Sequence, residues 1–336
     1  MNESAEFRHF RYLLAIIEQG GFRAAAEHLH TAQPNLSEQA RQFQDLLNIH
    51  LFRRRKDGRV SLTKTGVAFG PLAHGLLDAR DEVIAALIAI EREEIRNLKL
   101  GSTSLIDQAL FHACCQIHKQ ILPDCPIFPT HGDMPQLEEE LASGEIDAAL
   151  VTLPVTNPCL SVQVIRRDPL VVCLRRDHPL AAKSVLEPSD LQNNLRILYH
   201  PDRHFHAHQR HRKYLREIGI EIEHYSRANH PVELRELVKQ GYGFALVREG
   251  SKIDDELTTR RVAGVDWHVS IAVIYNSQRH PRTIPVLVRH LKRYLSAVKG
   301  NGNLRAASTP HDSNDVGLKR PPGSEGKRPM QMSLLG

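Results

Sequence analysis

Tryptophan occurs once in the 336 residues, and none of the five cysteines stands in a C-x-x-C pair. Cys114, Cys115, Cys125, Cys159 and Cys173 are scattered, so no zinc site is readable. Reduced thiols in or near the core of a cytosolic protein are expected, with Cys125 and Cys159 the positions a redox switch would use. No apolar run approaches the length that spans a bilayer. The N-terminus is polar and acidic, which predicts no secretory signal. A soluble cytoplasmic protein with no membrane partner is the expectation. G-x-S-x-G, H-E-x-x-H and P-loop patterns are all missing. Neither Asp107 nor the run Glu138-Glu139-Glu140 has an identifiable acid–base partner. No enzymatic activity, cofactor or metal is therefore expected.

What is present begins with charge. The pI is near 9.0 and the formal net charge is +5. Residues 1–65 carry a net +3, concentrated in Arg53-Arg54-Arg55-Lys56 and Arg59. That balance suits a polyanionic partner without proving one. Phe10, Leu13, Leu14 and Ile17 fall at i, i+3, i+4, i+7, one face of a first helix. Phe22, Ala25, Ala26 and Leu29 repeat the pattern in a short second helix opened by Gly20-Gly21. Thr31 is the expected N-cap of a third, with Pro34 in its first turn. Leu36, Ala40, Phe43 and Leu47 form its buried stripe. Its opposite face carries Pro34, Asn35, Ser37, Glu38, Arg41 and Gln42, groups able to reach base edges and phosphates. Leu51-Phe52 then leads to a hairpin turning at Asp57-Gly58 and returning through Val60 and Leu62. The result is a winged helix-turn-helix whose wing cations would neutralise phosphates.

These residues resemble the LysR-type transcriptional regulators. The likeness is carried by Phe22-Arg23-Ala24-Ala25-Ala26-Glu27-His28-Leu29-His30-Thr31-Ala32-Gln33-Pro34-Asn35-Leu36-Ser37, by Leu51-Phe52, and by Leu62-Thr63-Lys64-Thr65-Gly66. It extends to about Lys299. The resemblance implies Gln33, Pro34, Asn35 and Ser37 as groove-facing positions. Arg41, Arg53, Arg54, Arg55, Lys56, Arg59 and Thr63 complete the expected DNA-binding set, with Glu38. The family usually places a basic residue directly after the recognition-helix serine, and here it is Glu38. That carboxylate would repel the DNA backbone, yet it can accept from a cytosine amino group, and Arg41 one turn on could pair with it. Double-stranded DNA is the expected partner, with RNA polymerase a candidate second one.

A helix over about 65–92 repeats Phe69, Leu76, Val83 and Ile90 every seven residues, with Leu87 and Ala73 at the companion position and Arg80 interrupting. About 30 helical residues span roughly 45 Å, too long to pack on one small domain, so a helix pair is expected. Phe69, Leu76, Val83, Leu87 and Ile90 are its seam. The family resemblance favours this homodimer, and tetramers are common in the family. Beyond Arg96, strands alternate with helices, implying two α/β lobes. Strands are expected at 98–100, 127–128, 146–151, 170–174, 197–199, 244–247 and 269–273. The chain should cross between lobes near 163–168 and return near 263–268. The resemblance makes this a periplasmic-binding-protein-like effector domain with a small molecule in its cleft. The expected organisation is a winged helix-turn-helix at 1–64, a linker helix at 65–95 and an effector domain at 96–299. Lobe I takes 96–165 and 268–299, lobe II takes 166–267, and 300–336 is a disordered tail.

In the cleft, Ser102, Thr103 and Ser104 precede a helix N-terminus, where free N–H groups favour an anion. Met134, Thr152, Arg203, His204, Phe205 and Arg248 follow other strands. Two arginines facing helix N-termini suit a carboxylate or phosphate effector. His204, His208 and His211 share one helical face; with no acidic or cysteine ligand beside them, a solvated face is expected rather than a metal site. An alternative reading is a solute-binding or sequestering module with an incidental basic N-terminus.

Overall fold

The computed structural model describes residues 5–54 and 60–300. The turn of the wing, with Arg55, Lys56 and Arg59, lies outside the described residues, as does the tail beyond residue 300. Three helices come first: α1 (Phe7–Glu18), α2 (Phe22–His28) and α3 (Gln33–Leu47). They are followed by β1 (Phe52–Arg54), β2 (Val60–Leu62) and the 28-residue α4 (Lys64–Glu91). The apolar stripes read from the sequence close on one another. Leu36, Ala40 and Phe43 of α3 are buried with Leu13 and Leu14 of α1 and Ala25 and Ala26 of α2. Phe43 meets Phe10 and Phe69 edge to face, at ring centroids 5.3 and 5.8 Å apart. Phe69 is therefore held inside this small core, together with Ala73. It leaves the seam expected along α4, because the first turns of that helix form the floor of the N-terminal domain.

Thr31 does not cap α3. The N-cap is Ala32, and Thr31 Oγ1 instead accepts from Asn35 Nδ2 at 3.4 Å. Pro34 does sit in the first turn, where its missing N–H leaves no bond unmade.

From Leu98 to Gly300 the described residues form the two α/β lobes. In order come β3 (Leu98–Ser102), α5 (Gln108–Ile121), β4 (Ile127–His131), α6 (Met134–Ser143), β5 (Ala148–Thr152) and the long β6 (Leu160–Arg175). Then follow β7 (Val185–Leu186), α7 (Pro188–Leu191), β8 (Leu195–Tyr199), α8 (Phe205–Glu217), β9 (Ser226–Ala228) and α9 (Pro231–Lys239). The last elements are β10 (Phe244–Arg248), β11 (Leu257–Val262), β12 (His268–Asn276) and α10 (Ile284–Gly300).

In lobe I, β3 lies parallel between β4 and β5, and β12 runs antiparallel between β5 and β6. In lobe II, β10 pairs antiparallel with β6, and β8 and β9 continue from it in parallel. One strand serves both sheets. Residues 160–169 of β6 pair with β12, and 170–175 pair with β10 and β11. The exchange of partners comes at Pro169–Leu170, directly after the stretch 163–168 expected from sequence. Each lobe has its own cores: Leu100, Leu150, Val273 and Leu291 belong to one in lobe I, and Val172, Leu198, Leu246 and Trp267 to one in lobe II.

Candidate nucleic-acid interface and inter-lobe cleft

The outward face of α3 is polar and accessible. Gln33, Pro34, Asn35, Arg41 and Gln42 are exposed, and Ser37 and Glu38 half-buried. Glu38 does pair with Arg41. Arg41 Nε and Nη2 donate to the carboxylate at 2.8–3.1 Å, and Gln42 Nε2 adds a third donor at 2.9 Å. The hydrogen bonds from Arg41 and then Gln42 hold Glu38 below the usual carboxylate range, so it is ionised near neutral pH.

Gln44 of α3 holds the described start of the wing. Gln44 Oε1 accepts from Leu51 N at 2.8 Å while Gln44 Nε2 donates to Ala40 O at 3.0 Å. Strand register sets Arg53 opposite Ser61, and Arg53 Nε donates to Ser61 Oγ at 3.2 Å. Arg54 lies in the same strand. Thr63, expected at the DNA, is instead engaged within the fold. Its hydroxyl donates to His50 O at 2.5 Å and accepts from Gly66 N at 3.0 Å, capping α4. Gly66 must be glycine here: a Cβ on it would sit 2.1 Å from Leu51 O.

Beyond its buried start, α4 shows apolar side chains to solvent. Leu72 is 73% exposed and Leu87 59%, with Leu76, Val83, Ile84 and Ile88 also exposed. Ile90 is half-buried, and Glu82 pairs with Arg289 of α10.

Between the lobes, the candidate cleft residues divide into engaged and free groups. Arg248 is engaged. It donates to Asp107 at 2.5 Å and to Asp168 at 3.3 Å, while Arg166 pairs with Asp107 at 2.7 Å and Asp168 at 2.8 Å. Two cations thus meet two carboxylates in a neutral, largely buried square, which leaves Arg248 little charge to offer an anion. Burial pushes the Asp107 carboxyl up, but Arg248 and Arg166 together overcome it and hold the group below its ordinary range. Asp107 also caps α5, accepting from Leu110 N at 2.7 Å. Arg203 is exposed and stands 4.0 Å from Asp133, the N-cap residue of α6. Ser102 Oγ lies 2.8 Å from His131 Nδ1. Ser104, Met134 and Thr152 are half-buried and Phe205 is exposed.

Two cleft residues outside the square hold a buried polar atom with no hydrogen-bond partner among the described residues: Thr103 at Oγ1 and Arg210 at Nε. Thr103 follows β3. Arg210 of α8 reaches across to lobe I and donates Nη1 to Leu153 O at 2.6 Å, just past β5. The sequence gives no sign of this role, because Arg210 lies in the basic run His208-Gln209-Arg210-His211-Arg212-Lys213, where nothing local separates it from surface arginines.

The histidine face is not solvated, contrary to expectation. His204, His208 and His211 are buried where α8 packs on β8. His204 Nε2 contacts Asn229 O at 2.8 Å, and His208 Nε2 contacts Tyr225 Oη at 3.0 Å. Tyr199 lies against His204 and His211, at centroid distances of 5.2 and 5.6 Å. Burial, helped by neighbouring Arg210 and His208, drives the His211 pKa down to about 3. These rings are neutral aromatic packing. Among the described residues no group of three His, Cys, Asp or Glu is arranged to hold a metal, and none of the five cysteines is in a disulfide. No described helix is long and apolar enough to cross a membrane.

A winged helix-turn-helix, a long connecting helix and a two-lobed α/β domain make up the architecture of a DNA-binding regulator. Residues 7–67 match the bacterial regulatory helix-turn-helix of the LysR family, and residues 91–296 match the LysR substrate binding domain. The chain belongs to the LysR family and is a DNA-binding transcriptional regulator with an effector-binding α/β domain. It is 27% identical over 294 residues to the HTH-type transcriptional regulator BudR of Raoultella terrigena, a match covering 83% of this chain and 97% of BudR. It is 32% identical over 186 residues to the Hca operon transcriptional activator HcaR of Escherichia coli K12, covering 55% of this chain and 62% of HcaR. Among solved structures it resembles full-length BenM, with a TM-score of 0.54 and 23% identity over 88% of this chain and 98% of BenM. It also resembles full-length CbnR complexed with its target DNA, with a TM-score of 0.52 and 20% identity over 86% and 99% of the two chains.

Proposed function

We propose that this protein acts in the cytoplasm as a homodimer paired along α4, placing two copies of α3 in successive major grooves of an interrupted palindrome. Gln33, Pro34, Asn35, Ser37, Glu38 and Arg41 face the bases, and Arg53 to Lys56 with Arg59 follow the backbone. The single observation that carries this reading is the polar outer face of α3, held by Gln44 to a wing rich in arginine. A two-fold dimer reads two half-sites, and each cation set on a phosphate releases counterions. RNA polymerase is the next partner in this reading, and no catalytic step belongs to it.

The effector in this reading is a small anion between the lobes. Thr103 and Arg210 are its main contacts, because they offer buried polar atoms without partners. Ser104 and Arg203 lie at the rim. Arg248 contributes indirectly, through the ion square that ties the lobes together.

The test is a gel shift on the region upstream of the protein's own gene, across a salt series. Changing Arg53, Arg54 and Arg55 together to alanine should weaken binding and flatten the slope of log affinity against log salt by up to about 3 units. Unchanged affinity and slope would remove the wing from the docking surface.

A further inference from the structure

We propose that Glu38 is a positioning residue that sets Arg41 to read a guanine in the major groove. This rests on the docking of α3 proposed above and specifies what one of its side chains recognises.

A guanidinium has two usable edges. One comprises Nε and Nη2, the other Nη1 and the remaining N–H of Nη2. In Arg41 the first edge is occupied, since Nε and Nη2 both donate to Glu38. The second edge makes no hydrogen bond among the described residues. Its closest acid, Asp45, is 3.7 Å from Nη1, an ion-pair distance that leaves the N–H groups available. The Arg41 side chain is 66% exposed on the face that turns away from the core. What the helix presents is thus a fork of parallel donors, fixed from behind by a carboxylate.

Guanine is the base that fits this fork. Its O6 and N7 are adjacent acceptors on the major-groove edge, and a bidentate arginine takes both. Adenine, cytosine and thymine lack that pair of acceptors. Glu38 is itself held on the other side, since Gln42 donates to its Oε1 and receives a hydrogen bond from Gln39 Nε2 at 3.2 Å. Gln39, Gln42, Glu38 and Arg41 form one chain of hydrogen bonds along α3. An unsupported arginine must freeze several rotors when it meets a base, whereas this one is partly ordered beforehand.

Two other roles for Glu38 make opposite predictions. A carboxylate that merely repels DNA would, once removed, tighten binding to every sequence alike. A carboxylate that itself accepts from a cytosine amino group would define a cytosine position independent of Arg41.

The experiment selects binding sites from a randomised duplex library with the full chain and with the E38A, E38Q, R41A and R41K variants. These side chains are on the outer face of the helix, so folding should be unaffected, which circular dichroism would check. Wild type should enrich guanine at one position per half-site, with discrimination of roughly 5- to 150-fold. R41A and R41K should lose that preference alone. E38A and E38Q should lose most of it while keeping preferences elsewhere. Replacing that guanine by 7-deazaguanine should weaken wild type and leave R41A unchanged. Uniformly tighter binding by E38A, or loss of a cytosine position that R41A retains, would overturn the proposal. Retention of every base preference by all four variants would also overturn it. If in that last case the wing variant still loses affinity, the error lies in Arg41 alone. If it does not, the docking surface itself is wrong.

Discussion

Replacing Asp107 by asparagine would leave the Arg166–Arg248 square with two cations and one carboxylate. Removing one partner of a well-buried ion pair costs about 3–5 kcal/mol, because the other charge stays desolvated and unmatched. Two features of this site reduce that figure. The Asp107 side chain is 27% exposed, and Asp168 remains within 3.3 Å of both guanidinium groups. About 2 kcal/mol is the expected loss, or roughly 4–8 °C in the melting of a domain of this size. Asparagine keeps an oxygen for Leu110 N, so helix capping survives. Asp107→Ala loses the cap too and should cost about 1 kcal/mol more. Removing Arg248 together with Asp107, as the D107N/R248M double variant, should recover much of the loss because the charges balance again.

Trp267 supplies the readout. It is the protein's one tryptophan, it is buried, and it stacks on Tyr214 in lobe II. Urea or thermal unfolding followed by its fluorescence reports lobe II, although Asp107 belongs to lobe I. The pH dependence supplies a second reading. The folded pKa of Asp107 is depressed, so its stabilisation is fully present above the ordinary value of 3.8 and is lost as pH falls through the folded value. Wild type and D107N should therefore differ by a constant amount from pH 7 to pH 5 and converge in acid. His211 is also depressed, to about 3, and lowers the stability of both proteins together as pH falls from about 6.5. Equal stability of D107N and wild type at pH 7, or a D107A variant no worse than D107N, would refute this account of the square.

Two further outcomes are expected. Val83→Asp would set a charge on the exposed apolar side of α4, where pairing would leave it desolvated at a cost of several kcal/mol; sedimentation should show a smaller oligomer, and an unchanged one would mean that α4 is not the seam. A thermal-shift screen of small carboxylates and phosphates should find a stabilising anion whose effect falls at least tenfold in potency in Arg210→Ala and Thr103→Val. If neither change alters it, the contacts lie elsewhere in the domain.

Much of the architecture could be read from spacing alone, because local periodicity records which face of each element is buried. Leu36, Ala40 and Phe43 turned inward as their interval predicts, and so did the strand Val171–Leu174. What spacing does not record is partnership across the chain. Asp107 and Arg248 are separated by 141 positions, and no local pattern announces that they meet. Phe69 fits a heptad seam by interval, yet Phe10 and Phe43 claim it first. The histidines of α8 read as polar from composition, but a neutral imidazole packs as a small aromatic ring, and β8 offers Tyr199 to pack against. The Glu38–Arg41 pair is legible in the sequence because the two residues stand one helical turn apart, and its geometry is that of a carboxylate gripped by Nε and Nη2.

The shared strand β6 also has a consequence for biosynthesis. As the chain leaves the ribosome, β3, β4 and β5 emerge early, but the strand that lies between β5 and β6 is β12, which begins 93 positions after β6 ends. Every element of lobe II is made in that interval. Lobe II can close on the β6 segment from Leu170 to Arg175 while lobe I still waits with an open gap in its sheet. Lobe I, although begun first, can be completed only last. A ribosome stalled between residues 200 and 265 would hold a nascent lobe I with unpaired strand edges, the state most in need of a chaperone.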